Sequence, residues 1–203
     1  MKKLLIATKN QGKLKELKEF LSGLGLEIVS LKNLKVEEEI EEDGKTYEEN
    51  SKKKALFFSK LTNLPTIADD GGIEIEALRG EPGIRSRRWL GDKTRDMDLI
   101  NHMKKISKNL PKNNRKAFFK TVITFALPGG EVFSAKGQIG GIIAKKPFLE
   151  ILEGYPYRSF FYLPKIGKYY HESELTEKEQ KMYNHRYKAI QKLIPKIIEK
   201  LKL

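Results

Sequence analysis

The amino-acid sequence predicts an α/β protein with a mixed central sheet flanked by helices. Three observations carry that reading. Short apolar runs alternate with helix-period segments along the first third of the chain, the pattern that places strands side by side under helices. Two longer β-type runs in the middle are separated by Pro128-Gly129-Gly130, a hairpin signal that adds antiparallel strands. Apolar residues make up 39% of the 203 positions and are spread throughout, which supplies one core and argues against disorder. No repeat, low-complexity tract or linker divides the chain, so residues 1–203 read as a single domain.

Taken in order, Leu4–Ala7 is a buried strand, and Leu14, Leu17, Leu21 and Leu24 mark one face of a helix that Gly25 ends. Glu27–Leu31 is a second strand. Thr46 and Glu49, three apart, have the spacing of a capping box for a helix that runs to about Leu61. Thr66–Ala68 and Ile73–Ala77 read as short strands around a turn at Asp69-Asp70-Gly71-Gly72, and Glu81-Pro82-Gly83 suits a type II turn. Thr94 is the expected cap of a helix carrying Met97, Ile100, Met103 and Ile106. Ala117–Leu127 and Val132–Ile143 form the hairpin, and Phe160–Leu163 is a further strand. Thr176 and Glu179 open a last helix that buries Met182, Ala189, Ile190 and Leu193, with a kink expected at Pro195.

Composition removes several classes of function. There is no cysteine, so disulfides and thiolate metal sites are excluded, and three histidines are few for a His-rich zinc site. No apolar run approaches the roughly 20 residues needed to span a bilayer. The start resembles the front of a signal peptide, but Thr8 ends its apolar stretch after four residues, so a soluble, cytoplasmic protein is expected. The net charge of +13 favours anionic partners: nucleic acid, an anionic membrane or a small phosphorylated substrate. A lysine-rich solvated surface explains the same number.

Three segments carry chemistry. Thr8-Lys9-Asn10-Gln11-Gly12-Lys13 joins a buried strand to a helix, so backbone N–H groups and two lysines converge where the helix dipole is positive. That is a phosphate cradle, although not a Walker A loop; the plain alternative is an ordinary turn with exposed lysines. Asp69-Asp70, at a strand end before two glycines, suits a hard divalent cation such as Mg²⁺, or else the capping of a turn. Glu41 and Glu42 are candidates for a third carboxylate, and Lys54 shares a helix face with Tyr47 and Asn50 from which it can reach a phosphate. In Asn184-His185-Arg186, His185 sits toward the apolar face, where a packed core histidine is the default, and Arg186 beside it needs a partner if buried. Tyr155-Pro156-Tyr157-Arg158 offers rings that stack on a base or simply pack.

Together these residues resemble the inosine/xanthosine triphosphate pyrophosphatase family of house-cleaning nucleotide hydrolases. The loop at 8–13 looks like the family's T-x-N-x-x-K segment, and residues 41–50 look like its acidic metal segment. Ile67–Leu78, continued by Gly80-Glu81-Pro82-Gly83-Ile84, is close to its ADDSGL…GxPG signature, and Asn184-His185-Arg186 stands where the family has S-H-R. The resemblance implies hydrolysis of ITP, dITP and XTP to the monophosphate and pyrophosphate. It also implies two lobes around an active-site cleft, a homodimer and a Mg²⁺ cofactor. Glu42 and Asp70 would bind the metal, with Asp69 close by, and Asp70 would accept the proton. Thr8 through Lys13 and Lys54 would hold the triphosphate, with Arg88 as a further contact. Tyr155, Tyr157, Gln180, His185 and Arg186 would surround the base, together with Pro156 and Arg158. Four departures stand out. Gly71 replaces a hydroxyl residue, Tyr155–Ser159 replaces F-G-[YW]-D-P, Gln180 replaces a lysine and Asn184 replaces a serine. Most fall in the base pocket, so a nucleotide pyrophosphatase with other or relaxed base specificity is the alternative. Gln180 in particular, free to turn its amide, implies weaker discrimination against ATP. A nucleic-acid-binding protein, suggested by charge alone, finds no zinc-finger or RNP-type motif here.

Overall fold

The computed structural model describes residues 1–152 and 154–203. Its elements are β1 (Lys2–Ile6), α1 (Gln11–Phe20), β2 (Leu26–Ser30), α2 (Tyr47–Thr62), β3 (Thr66–Ile75), α3 (Asp96–Asn109), β4 (Lys116–Ala126), β5 (Val132–Ile143), β6 (Phe161–Leu163), β7 (Lys168–Tyr169), α4 (Glu177–Met182) and α5 (His185–Leu201). The sheet order is β2-β1-β3-β4-β5-β6-β7, and it is mixed as expected: β1 pairs parallel with β2 and β3, whereas β6 pairs antiparallel with β5 and β7. The chain divides into two compact units, residues 1–70, 121–137 and 186–203 in the first and residues 71–120 and 138–185 in the second.

In the first unit, β1 is covered on both faces, which is why Leu4–Ala7 is apolar without alternation. Leu4 and Ile6 join Ile67 of β3, Leu14, Leu17 and Leu21 of the α1 segment, and Ala189, Ile190, Leu193 and Ile197 of α5. Leu5 and Ala7 turn the other way, to Ala68 of β3 and Ala55 and Phe58 of α2. Each of Leu4, Leu5 and Ile6 is fully buried, and each contributes on the order of 1.5–3 kcal/mol of hydrophobic stabilisation. A chain of hydroxyls, Ser51 to Thr124 at 2.6 Å and Thr124 to Ser134 at 2.8 Å, fixes α2 against β4 and β5.

The second unit packs Ile73 and Ile75 of β3, Leu99, Ile100 and Met103 of α3, Phe119 of β4, and Tyr157, Phe160 and Phe161 into one cluster. Arg115 holds the end of α3. Its guanidinium donates to the carbonyls of Ser107 and Leu110 at 2.7 and 2.9 Å, groups that a helix end leaves open, and to that of Ile143 in β5 at 2.6 Å.

The structure differs from the sequence expectation at four places. Residues 66–75 form one continuous strand, so Asp69-Asp70-Gly71-Gly72 is no turn. Gly72 is there for close approach: a Cβ at this position would lie 2.2 Å from Ser86 Oγ and 2.3 Å from the Gly83 carbonyl. Arg95, not Thr94, is the N-cap of α3; the Thr94 hydroxyl is used on the Gly91 carbonyl, and Met97 is exposed. Pro82 takes an αR conformation with ψ −15°, which a type II turn does not allow at its second residue. The expected last helix is two helices, broken at Tyr183-Asn184, and Met182 lies exposed at the end of the first; Pro195 is accommodated within α5. Gly72→Ala should destabilise the protein by about 1–3 kcal/mol through overpacking, whereas Gly129→Ala, with nothing within 4 Å, should change it by no more than about 0.5 kcal/mol. Urea unfolding of both variants checks the pair, and equal effects would contradict the packing argument.

Candidate active site

The loop between β1 and α1 is built as its sequence requires. Asn10 is the N-cap, accepting the Lys13 backbone N–H at 3.0 Å, and Thr8 Oγ1 accepts from the Asn10 N–H at 3.2 Å. α2, α3 and α4 carry acidic residues in their first turns, whereas α1 and α5 carry none. The positive ends of these two helices are therefore not offset by their own side chains.

The two aspartates sit at the β3 end of the first unit, where period-two alternation separates them. Asp69 follows the parity of Ile67, on the side of α1 and α5; Asp70 follows Ala68, on the side of α2. Asp69 Oδ2 accepts from Arg186 Nε at 2.9 Å and pairs with Lys13 Nζ at 3.2 Å, and Arg186 also pairs with Glu16 at 3.2 Å. Asp70 Oδ2 accepts from Asn50 Nδ2 at 3.1 Å, its Oδ1 lies 3.9 Å from Lys54 Nζ, and Lys54 meets Glu42 Oε1 at 2.6 Å. The Asp70 carbonyl accepts from Thr121 Oγ1 at 2.9 Å. Adjacent residues thus serve two networks, one on each side of the strand.

Their proton affinities diverge accordingly. Burial opposes ionisation of Asp69, but the charges of Lys13, Arg186 and Lys54 outweigh it and hold the carboxyl far below the usual range. Asp70 moves the other way: burial raises it, Glu42 raises it further, and Lys54, Lys13 and Asn50 only partly compensate. Burial pulls Lys13 down despite Asp69. For Lys54 burial is also the largest influence and lowers it, but Asp70, Glu42 and Asp69 together raise it. Two carboxylates whose environments drive them apart are the arrangement from which separate acid–base and electrostatic roles arise.

The remaining sequence candidates fall in several places. Lys9 reaches outward to Glu39 at 2.6 Å and to the Glu37 carbonyl. With Thr8, Gln11, Ser30, Lys32 and Lys35 it lines a 470 Å³ pocket. Gly12 is in the first turn of α1, and Glu41 is exposed. Gly71 and Arg88 belong to the second unit, where Arg88 lies 3.9 Å from Asp92. In that unit Tyr157 is a core residue whose hydroxyl donates to the Ser86 carbonyl at 2.5 Å, and burial raises its pKa. Arg158 is buried with its guanidinium 3.7 Å from the Tyr155 ring centroid and 4.5 Å from that of Tyr170; Pro156 is buried beside them in sequence. His185 stacks on Phe119 at 5.2 Å, the packed histidine that the sequence favoured. Gln180 departs from expectation. Its amide nitrogen donates to the carbonyls of Glu172 and Leu175, at 3.2 and 3.0 Å, so the amide does not turn freely and its donor edge is spent on the backbone. Arg186 pairs with Asp69 and Glu16 within the first unit. Sequence reasoning missed Glu16 and gave Asn50 no role. The signals were helical spacing, with Glu16 three residues after Lys13 and Asn50 four before Lys54.

The donor set fits a hard divalent cation in part. No group of three or more His, Cys, Asp or Glu side chains gathers in a metal-binding cluster among the described residues. Glu42 and Asp70 nevertheless face one cation, the Lys54 ammonium, and one or two carboxylates are what a protein usually gives a magnesium ion that also holds phosphate and water. Asp69 does not join them, because Lys13 and Arg186 share one of its oxygens; its buried Oδ1 has no hydrogen-bond partner among the described residues.

Fold and charge centre define the class: a mixed-sheet α/β protein that gathers cations and carboxylates where β1 and β3 meet two acid-free helix ends. Comparison with known proteins narrows it. A model of the Ham1 family matches residues 4–196. A dITP/XTP pyrophosphatase of Thermus thermophilus is 38% identical over 195 residues, covering 95% of this chain and 90% of the relative. One from Desulforamulus reducens is 37% identical over 192 residues, covering 94% and 92%. A HAM1 protein from Coxiella burnetii superposes with a TM-score of 0.82 at 30% identity, covering 98% of this chain and all of that one. The chain belongs to the Ham1 family.

Proposed function

We propose that this protein hydrolyses non-standard purine nucleoside triphosphates, dITP, ITP and XTP among them, to the monophosphate and pyrophosphate, and so cleanses the nucleotide pool. The observation that carries this is the double network at Asp69-Asp70, in a family whose similar members are named dITP/XTP pyrophosphatases. Lys13, the acid-free start of α1 and Lys54 supply the positive charge that a triphosphate requires. Asp70, buried and with raised proton affinity, takes the proton of the water that attacks the α-phosphorus. Asp69 stays ionised and holds Lys13 and Arg186 in place. Glu42 and Asp70 would hold a magnesium ion, which when bound neutralises charge on the phosphate oxygens. Positioning and charge neutralisation suffice for such a transfer, without a covalent intermediate.

The base has a second reading behind it. Arg158 lies against the Tyr155 ring, and the Gln180 donor edge is engaged. Both favour a base preference different from that of relatives with other residues there. We place the protein in the cytoplasm as a homodimer, in keeping with a nucleotide-pool role; no helix among the described residues is long and apolar enough to cross a membrane. The deciding assay incubates purified protein and Mg²⁺ with a panel of triphosphates, with separate detection of pyrophosphate and orthophosphate and a chelator control. Pyrophosphate from dITP and XTP, lost with the chelator, is the expected result. Orthophosphate alone, or salt-sensitive duplex binding without hydrolysis, would overturn the proposal.

A further inference from the structure

Asn50 and Lys54 are four apart in α2, so both side chains leave the same helix face. Asn50 is 1% exposed. Its Oδ1 accepts the Gly44 backbone N–H at 2.8 Å and its Nδ2 donates to Asp70 Oδ2 at 3.1 Å. These partners fix the amide's orientation, since an N–H must meet the oxygen and a carboxylate must meet the NH₂. One turn on, Lys54 repeats the bridge, meeting Glu42 Oε1 at 2.6 Å and lying 3.9 Å from Asp70 Oδ1. Each oxygen of Asp70 therefore faces a different residue of one helix face, and the segment carrying Glu42 is tied to the same two residues. Asp43, between them, points away to Lys53 at 2.6 Å. The fit at position 44 is close: a Cβ there would lie 2.5 Å from Asn50 Oδ1 and 2.8 Å from Glu49 Cβ.

We infer that Asn50 is a positioning residue, which sets the rotation of the Asp70 carboxylate and holds the Glu42 segment against it, fixing the spacing of the two carboxylates. Glu42 lies outside any helix or strand, so its place depends on such ties, which offset the backbone entropy lost on ordering it. A hydrogen bond to an ionised carboxylate is stronger than a neutral one, which suits Asn50 to the task. The kinetic consequence rests on the triphosphate hydrolysis proposed above; the geometric one does not.

The test compares wild type with Asn50→Leu, which keeps the branched heavy-atom skeleton and removes both hydrogen bonds, and with Gly44→Ala, which crowds the same amide from the loop side. Three quantities are measured: melting temperature, kcat and KM for dITP, and Mn²⁺ affinity by calorimetry without nucleotide. In Asn50→Leu both kcat and Mn²⁺ affinity should fall by about 10–100-fold while KM moves little. Gly44→Ala should show a smaller fall in the same two quantities. A folded Asn50→Leu protein that retains both overturns the inference; if that variant does not fold, a folded Gly44→Ala protein with unchanged values does so. Mn²⁺ binding by wild type that weakens in Asn50→Leu, with no triphosphate cleaved, would sink the proposed function and leave this inference standing. Wild type that neither binds Mn²⁺ nor cleaves dITP would overturn both.

Discussion

Asp70→Asn is expected to lower kcat by about 10²–10⁴-fold, the range for losing a positioned acid–base group, while leaving the fold intact. The residue is 5% exposed, and asparagine keeps its size. What goes is the negative charge and the capacity to take a proton at a site where burial and Glu42 have raised proton affinity. Stability should change little, because Lys54 retains Glu42 at 2.6 Å and no buried cation is left without a counter-charge. Steady-state kinetics with dITP, read beside a thermal melt, checks both halves. Near-normal turnover in a folded variant would remove Asp70 from the mechanism.

The neighbouring substitution should show first in stability. The Asp69 side chain is fully buried between Lys13 and Arg186, whose own side chains are 18% and 7% exposed. Asp69→Asn takes the carboxylate from two largely buried cations, and breaking a buried pair in this way costs roughly 3–5 kcal/mol. In a protein of this size that is a fall of roughly 6–20 °C in Tm. Adding Lys13→Met, which removes one stranded cation, should recover part of the loss. The effect also has a pH signature. The folded-state pKa of Asp69 lies below the unfolded value of about 3.9, so its stabilising contribution is complete above that value and lost as pH falls through the folded one. The gap between wild type and Asp69→Asn in urea unfolding should therefore be largest near pH 7 and shrink progressively below pH about 4. An equal gap at pH 7 and pH 3 would show that the ion pair is not the source.

These two results differ only because the residues lie on opposite faces of β3, and that was not legible in the sequence. Asp69-Asp70-Gly71-Gly72 carries a strong local turn signal, and a turn would have presented both carboxylates to one ligand. Gly72 instead answers to Ser86 and the Gly83 carbonyl, which approach it too closely for any Cβ. Tertiary contact overrode local propensity, the strand continued, and its alternation parted the pair. The break between α4 and α5 had a weak signal in Asn184, a residue type that starts helices, but no glycine or proline announced it. Gln180 was open to two orientations in sequence; only the carbonyls of Glu172 and Leu175 settled which edge of its amide is engaged.

By itself the sequence determined the α/β class, the mixed sheet with its hairpin middle, the polar loop at 8–13 between a strand and a helix, the Thr46 cap of α2 and the residue types of the charge centre. All of these act over a few residues, through side-chain period, capping and turn chemistry, and so are written locally. The partners were decided by the tertiary structure alone. Arg186 meets an aspartate 117 positions away, and Asn50 meets another 20 positions away. Such choices depend on which helix covers which face of the sheet and in what register, and therefore on the burial of Leu4, Leu5, Ile6 and their neighbours rather than on the charged residues themselves.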